Sequence, residues 1–542
     1  MEKKTILAIA LSVAVVFIYQ FFFAPKSVPN KAGKEPARIE QQAQAEKSQP
    51  QAQASAPAMP ASGGENTTTT VAQKTGIEKE ITVETPLYKA VFSTKGATLR
   101  SFQLKNFKTQ LGKNSGMIEL VNVPPHMPLP LSLSFVDSSI LVGGGDVYEA
   151  DRKSIALDKN DRKTRLTFTQ IYPGTLRIEK TFTFSPKDYT IPMEVKVYNL
   201  SPATIQQNAT LTWFNFDDPA VKKDSYTHDG PVYSMAKDVE LTNLKDLKSE
   251  ELHGPDISWS GYESKYFIAA MIPQNPALTS LTLNRDNLNV VSVQLKGPKN
   301  LIPAGQNGVF SYTLYLGPKD YDIMKALNVG LENAIDFGSW IKWLAIPLLF
   351  VLKFIFQYVQ NYGIAIIILT ILIKIIFWPL GNKSYKSMKE MQKLQPKMQE
   401  LRQKYKDDKS KLSQETMALY KAHKVNPLGG CLPILIQIPV FFGLYKVLLY
   451  AIELRHSPFF FWIQDLSAKD PYYITPIVMG ATMFIQQKMT PTMGDPMQAK
   501  IMLIMPVVFT FLFLNFPSGL VIYWLFNNII SIGQQMYINK RL

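Results

Sequence analysis

Ile366-Ile367-Ile368-Leu369-Thr370-Ile371-Leu372-Ile373-Lys374-Ile375-Ile376-Phe377-Trp378-Pro379-Leu380 is the stretch on which the reading of this 542-residue chain turns. Residues 362–380 would span about 28 Å as a helix, close to the roughly 30 Å hydrocarbon core of a bilayer. One cation, Lys374, interrupts the run. At a cost of about 2.5–3.5 kcal/mol near a helix centre, it should face a protein cavity or water. The competing reading is snorkelling, because the six residues to the inner end correspond to roughly 9 Å, which a lysine stem partly bridges. Thr370, one turn earlier on the same face, would extend a polar stripe toward the bilayer centre. Gln437, Asn515, Tyr523, Asn527 and Asn528 are further candidates for such a cavity. One cation among neutral amides, without paired carboxylates, offers neither a proton relay nor a metal site.

Outward from this stretch, apolar segments at 428–449, 471–487, 497–515 and 517–538 read as four more spans, and Phe516-Pro517-Ser518-Gly519 as a tight outer turn. Prolines 433, 439, 476 and 506 fall within them and invite kinks. Residues 383–424 carry 12 basic and 5 acidic side chains, so the positive-inside rule places them in the cytoplasm. That placement allows one span, not two, over 331–380. Residues 331–361, with Trp340, Lys342, Trp343, Pro347 and Lys353, then form an amphipathic helix at the outer headgroups. In the cytoplasmic segment Met391, Leu394, Met398, Leu401 and Tyr405 recur every three or four residues, and a second helix follows from Ser410 after a turn at Asp407-Asp408. Such a basic hairpin, with Lys393, Lys397, Arg402 and Lys404, could contact phospholipid headgroups or ribosomal RNA, or serve only to set topology.

The N-terminal apolar run at 6–23 follows Lys3 and Lys4. It is longer than the usual signal-peptide core and ends in Phe21-Phe22-Phe23, so residues 1–25 read as an uncleaved anchor with a cytoplasmic N-terminus rather than a cleaved leader. This makes six spans with both termini inside. Residues 26–76, rich in Ala, Gln, Pro, Ser and Thr, read as a disordered linker.

Over 77–330 the pattern changes to period two, as in Leu176-Arg177-Ile178-Glu179-Lys180-Thr181-Phe182 and Val309-Phe310-Ser311-Tyr312-Thr313-Leu314-Tyr315. Many short strands predict a large antiparallel β-sandwich, placed outside the cytoplasm by one preceding span. Gly143-Gly144-Gly145 lacks the Lys-Ser/Thr pair of a phosphate loop, and no GxSxG is present, so nucleotide-binding and hydrolase readings fail. His126, His228 and His253 are expected in solvated loops. The single cysteine, Cys431, rules out an intrachain disulfide framework and a CxxC redox pair. The average hydropathy, with 46% hydrophobic residues and a formal net charge of +15, conceals this division between two solvents.

Leu394-Gln395-Pro396-Lys397, Met417-Ala418-Leu419-Tyr420-Lys421, Val425-Asn426-Pro427-Leu428-Gly429-Gly430-Cys431, Asp465-Leu466-Ser467, Asp470-Pro471-Tyr472-Tyr473 and Phe516-Pro517-Ser518-Gly519-Leu520 carry a resemblance. The chain resembles the YidC family of bacterial inner-membrane protein insertases, strongly from about residue 340 onward and by architecture before that. The resemblance implies a non-enzymatic insertase and chaperone without a cofactor, with nascent membrane proteins, the Sec translocon and the ribosome as partners. It implies a five-span core over 362–542, with a hydrophilic groove open to cytoplasm and lipid and one basic residue inside it. The family's usual arginine is Lys374 here, and the client-contacting positions map onto Thr370, Tyr523 and Trp524. Asn515 stands where some relatives carry tryptophan. Together with Gln437 and Asn528 these residues form the expected substrate groove. Two other classes compete: a secondary transporter, which would need paired ionisable groups and an internal repeat, and a tethered periplasmic scaffold for envelope assembly, which would leave Lys374 unused.

Overall fold

The computed structural model describes residues 69–70, 76–112, 114–221, 227–247, 249–406, 408–423, 432–490 and 496–541. The expected anchor at 1–25, nearly all of the linker and the motif at 425–431 lie outside the described residues. Within the expected linker, Thr69 and Thr70 pair in parallel with Ile140 and Leu141, so ladder bonding of two β-branched threonines orders a piece read as structureless.

Alternation builds the β-rich domain. Leu176–Phe184 buries every second side chain and lies between Thr164–Tyr172 and Thr190–Asn199, antiparallel to both. These belong to a nine-stranded sheet, beside two five-stranded sheets centred on Val290–Ile302 and Tyr88–Ser93. Inward rings of Phe92, Phe168, Phe182 and Phe184 meet at centroid separations of 4.8–6.5 Å, and Trp213 and Trp259 are fully enclosed. His228 corrects the solvated-loop expectation. It is buried between Glu263, whose Oε1 lies 3.1 Å from Nδ1, and the Thr242 carbonyl, 3.0 Å from Nε2. Lys319 completes the cluster at 2.8 Å from Glu263 Oε2, since a buried carboxylate needs compensating partners.

A short helix, α1 (Tyr321–Lys325), capped by the Asp320 carboxylate, leads out of the sheets. The remaining helices are α2 (Lys342–Val359), α3 (Tyr362–Lys393), α4 (Gln395–Lys404), α5 (Lys409–Ala422), α6 (Leu432–Tyr450), α7 (Ile474–Met489), α8 (Pro496–Phe513) and α9 (Ser518–Arg541). By length and composition α2 and α3 could each cross a membrane. Asn361 starts α3 by accepting the Ile364 N–H at 3.0 Å. The 32-residue α3 would reach about 48 Å, so it runs on well past residue 380 and carries the first part of the expected hairpin in its own last turns. It ends where Pro396 supplies no N–H to the Gln392 carbonyl, which splits the single helix expected over 391–405. Residues 396–422 belong to a separate compact unit, in which Thr416 Oγ1 donates to Met398 Sδ at 3.5 Å across α4 and α5.

The proline expectation needs dividing. Pro433 and Pro476 fall in the first turns of α6 and α7, where the missing N–H is unpaired in any helix, whereas Pro439 and Pro506 lie inside α6 and α8. Helix α7 meets α8 at Gly480, where a Cβ would lie 1.9 Å from Thr510 Oγ1. Gly480→Leu should therefore separate these helices and lower the detergent-solubilised protein's unfolding midpoint.

Candidate functional site

Lys374 lies 12 residues into α3, about 18 Å from its start, and its side chain is turned to α9 rather than along its own helix. Its Nζ donates to Ser531 Oγ at 2.8 Å, and Ser531 Oγ donates to the Asn527 carbonyl at 2.7 Å. Gln437 of α6 closes the chain by donating Nε2 to Asn527 Oδ1 at 2.7 Å. Three helices are thus joined by an ammonium, a hydroxyl and two amides. Among the described residues no carboxylate lies within ion-pair distance of Lys374. A cation deep in apolar surroundings with only neutral partners keeps its attraction for a visiting anion.

The network extends toward the C-terminal end of α9. Gln534 Nε2 donates to Asn382 Oδ1 at 3.1 Å and to the Trp378 carbonyl at 3.4 Å, both on α3. A second polar file, about 90° around α9, faces α7: Asn528 Nδ2 donates to Thr482 Oγ1 at 3.3 Å and Gln535 Nε2 to the Met489 carbonyl at 2.7 Å. Ser531, Gln534 and Gln535 are not among the residues expected in the cavity, although residues 527, 528, 531, 534 and 535 repeat with helical spacing and all are polar.

Other expected site residues are placed differently. Thr370 is buried, and its hydroxyl donates back to the Ile366 carbonyl at 2.7 Å, so it does not extend the stripe from Lys374. Tyr523 stacks on Phe441 at 6.3 Å. Trp524 packs among Phe441, Phe509 and Phe513 at 4.8, 6.1 and 5.1 Å, forming an aromatic wall above the polar network. Asn515 is exposed in the turn between α8 and α9, away from Lys374's partners. Of the expected hairpin contacts, Lys393 pairs with Glu390 at 2.9 Å on α3, Lys397 is exposed, Arg402 is half-buried, and Lys404 lies 5.5 Å from the Tyr405 ring.

The end of the helices at the α8–α9 turn is closed by backbone bonds. Gly519 N–H donates to the Leu466 carbonyl at 2.9 Å, and both the N–H and hydroxyl of Ser518 donate to the Ala468 carbonyl at 2.7 Å. Leu466, Leu520 and Ile366 fill the space below. Asp470, fully buried, accepts from Thr475 N–H at 2.8 Å, Thr475 Oγ1 at 2.7 Å, Tyr472 N–H at 2.9 Å and Trp462 Nε1 at 3.1 Å. Burial pushes its carboxyl upward, but the bonds from Thr475, Tyr472 and Trp462 prevail and hold it below the usual carboxylate range. Its stabilising contribution is therefore present above about pH 3.8 and is lost as pH falls below that value. Asp470→Ala, which orphans these donors, should cost about 1–3 kcal/mol, read as a lower unfolding midpoint in detergent.

Comparison with known proteins covers the whole chain. A family profile described as "60Kd inner membrane protein" matches residues 354–542, and one described as "YidC periplasmic domain" matches residues 80–351. The "Membrane protein insertase YidC" of Syntrophus aciditrophicus (strain SB) is 62% identical, with 100% of each chain covered. The protein of that name from Geobacter metallireducens is 44% identical, over 100% of this chain and 99% of its own. A crystal structure titled "Active YidC insertase crystal structure with the first transmembrane domain resolved" is 20% identical, covering 86% of this chain and 94% of that one, with a TM-score of 0.37.

Proposed function

The chain belongs to the YidC family of membrane protein insertases, and on that premise we propose that the polar network around Lys374 receives the hydrophilic outer segment of a nascent membrane protein from the cytoplasmic side. The client's apolar helix then leaves past α3 and α9 into lipid. One observation carries this reading: Lys374 has a hydroxyl and neutral amides for company, on the inner side of an outer end closed by Asp470, Ser518 and Gly519.

In energetic terms, a polar tail that meets water and a cation partway across has only the remaining apolar layer to traverse, so its desolvation barrier falls. About 20 apolar residues entering lipid outweigh that brief crossing and drive the step forward. Half-buried Trp524 offers the departing helix an aromatic flank, backed by the buried Tyr523 and Thr370. The exposed amines of Lys393, Lys397 and Lys404, with Arg402, are suited to phospholipid headgroups or ribosomal RNA, and the Sec translocon is the further partner of this reading.

The orientation follows the same logic. Lys342 near the start of α2 donates to Asn333, Lys353 lies 2.6 Å from Asp322 and 3.0 Å from Glu453, and Asn361 beyond its end donates to the Phe459 carbonyl. Contacts with outer-side groups along about 16 Å of helix favour α2 lying along the outer surface rather than crossing it. Six spans with cytoplasmic termini and a periplasmic β-domain complete the proposal.

A thiol placed at Asn527 tests it in the full chain with Cys431→Ser. Asn527→Cys should react with a membrane-impermeant maleimide added from the cytoplasmic side and form crosslinks to a stalled client. Reaction from the periplasmic side alone would overturn the groove's direction.

A further inference from the structure

We propose that the turn at 459–463 is a lipid-binding wedge: Phe460 and Phe461 enter the outer leaflet between headgroups and acyl chains and hold the closed end of α3 and α7 at a fixed depth. The turn lies between the end of α6 at Tyr450 and the start of α7 at Ile474, hence at a bilayer boundary. Its side of the membrane follows from contacts with the periplasmic domain, since the Arg455 guanidinium donates to the carbonyls of Lys108 and Thr109 and sits 5.4 Å from the Phe267 ring.

The turn is built to present its apex. Phe459 N–H donates to the Ile463 carbonyl at 2.9 Å, Ile463 N–H to the Phe460 carbonyl at 3.1 Å, and Gln464 Nε2 to the Phe461 carbonyl at 2.7 Å. Its base is clamped to both helices. A Cβ at Gly363, in the first turn of α3, would lie 2.1 Å from the Phe459 ring, while Trp462 Nε1 reaches the buried Asp470 before α7.

At the apex Phe461 has φ +54° and is 86% exposed, with Phe460 48% exposed. In water neither fact suits phenylalanine: its Cβ disfavours a positive φ and its ring is poorly hydrated. The β-domain supplies the contrast. There the exposed positive-φ positions are the polar His126, Asp137, Lys237 and Asp256 and the small Ala236, with no large apolar side chain among them. The left-handed positions of hydrated turns thus carry polar or small residues in this chain, whereas the left-handed position of the apex beside the spans carries Phe461, next to Phe460. The apolar environment at that boundary is phospholipid, for which aromatic rings have an interfacial preference.

The test uses the full chain with Cys431→Ser in phosphatidylglycerol–phosphatidylethanolamine liposomes. An environment-sensitive fluorophore is placed at Phe461→Cys and, as a control, at Leu288→Cys, a 64% exposed site in the β-domain. The expected result is blue-shifted emission at 461, quenched by nitroxide lipid and shielded from iodide, against iodide-quenched emission at 288. Emission at 461 matching that at 288 would overturn the proposal. Shielding from both quenchers would also overturn it, because the cover would then be protein. The unlabelled Phe460→Ser/Phe461→Ser protein should keep its unfolding midpoint in detergent yet lose insertion activity in liposomes, and unchanged activity would remove the depth-holding role.

Discussion

Lys374→Ala should remove protection of a short client's acidic outer tail from external protease in proteoliposomes, while Lys374→Arg should preserve it. A charge-assisted hydrogen bond contributes about 1.5–3 kcal/mol, so losing it should slow translocation of the tail by roughly 10- to 150-fold. Arginine restores the cation and adds a planar fork that grips a carboxylate with two parallel bonds, so Lys374→Arg should match or exceed the natural chain. The tail's own charge provides the control. A client with an uncharged tail lacks the anion that the ammonium attracts and should be slowed far less by Lys374→Ala. If both clients suffer equally, the role of Lys374 is to tie α3 to Ser531 on α9. If neither suffers, the groove works through its amides and water alone.

How far these features could be read from the chain depends on the range of the interactions behind them. The position of Lys374 in an apolar run is a local fact, and so is the strand alternation of residues 176–184. The Ser531 partnership spans 157 residues of sequence, yet the helical repeat that continues from Asn527 and Asn528 through Ser531, Gln534 and Gln535 is a local signal on α9. No local signal existed for the burial of His228, because its partner Glu263 is 35 residues away and reaches it through sheet geometry. Thr370 shows the opposite failure. Its spacing from Lys374 was right, but a hydroxyl within reach of its own helix's carbonyl takes that bond first. Helix ends proved least legible where a proline could be either a first-turn residue or an interruption, as with Pro476 and Pro506.

Lys180→Met should lower the unfolding midpoint of the β-domain by roughly 2–12 °C, corresponding to about 1–3 kcal/mol for buried carbonyls left without their donor. Lys180 occupies an inward position on its strand, in register with Ile178 and Phe182, and is fully buried. Its Nζ donates to the carbonyls of Gly96 at 3.0 Å, Ala97 at 2.8 Å and Leu131 at 2.8 Å. Below about pH 7 the ammonium supplies one N–H to each of the three acceptors, and above it the neutral amine still supplies two. The three residues whose carbonyls converge there all have positive φ, at +68°, +47° and +63°, so Lys180 holds two loops in a backbone conformation that Ala97 and Leu131 would otherwise resist. Methionine fills the volume but leaves the carbonyls orphaned and the loops free to relax. The pH dependence has a definite sign. Burial lowers the Lys180 pKa from 10.5 to about 7, so the folded domain releases this proton earlier than the unfolded chain. Between those values unfolding takes up a proton, and raising pH should stabilise the fold, by up to about 1.4 kcal/mol per pH unit. Thermal unfolding of the full chain across that window should show this rise in the natural protein and its absence in Lys180→Met; a rise of equal slope in both would assign it to other groups and leave Lys180 as an ammonium throughout.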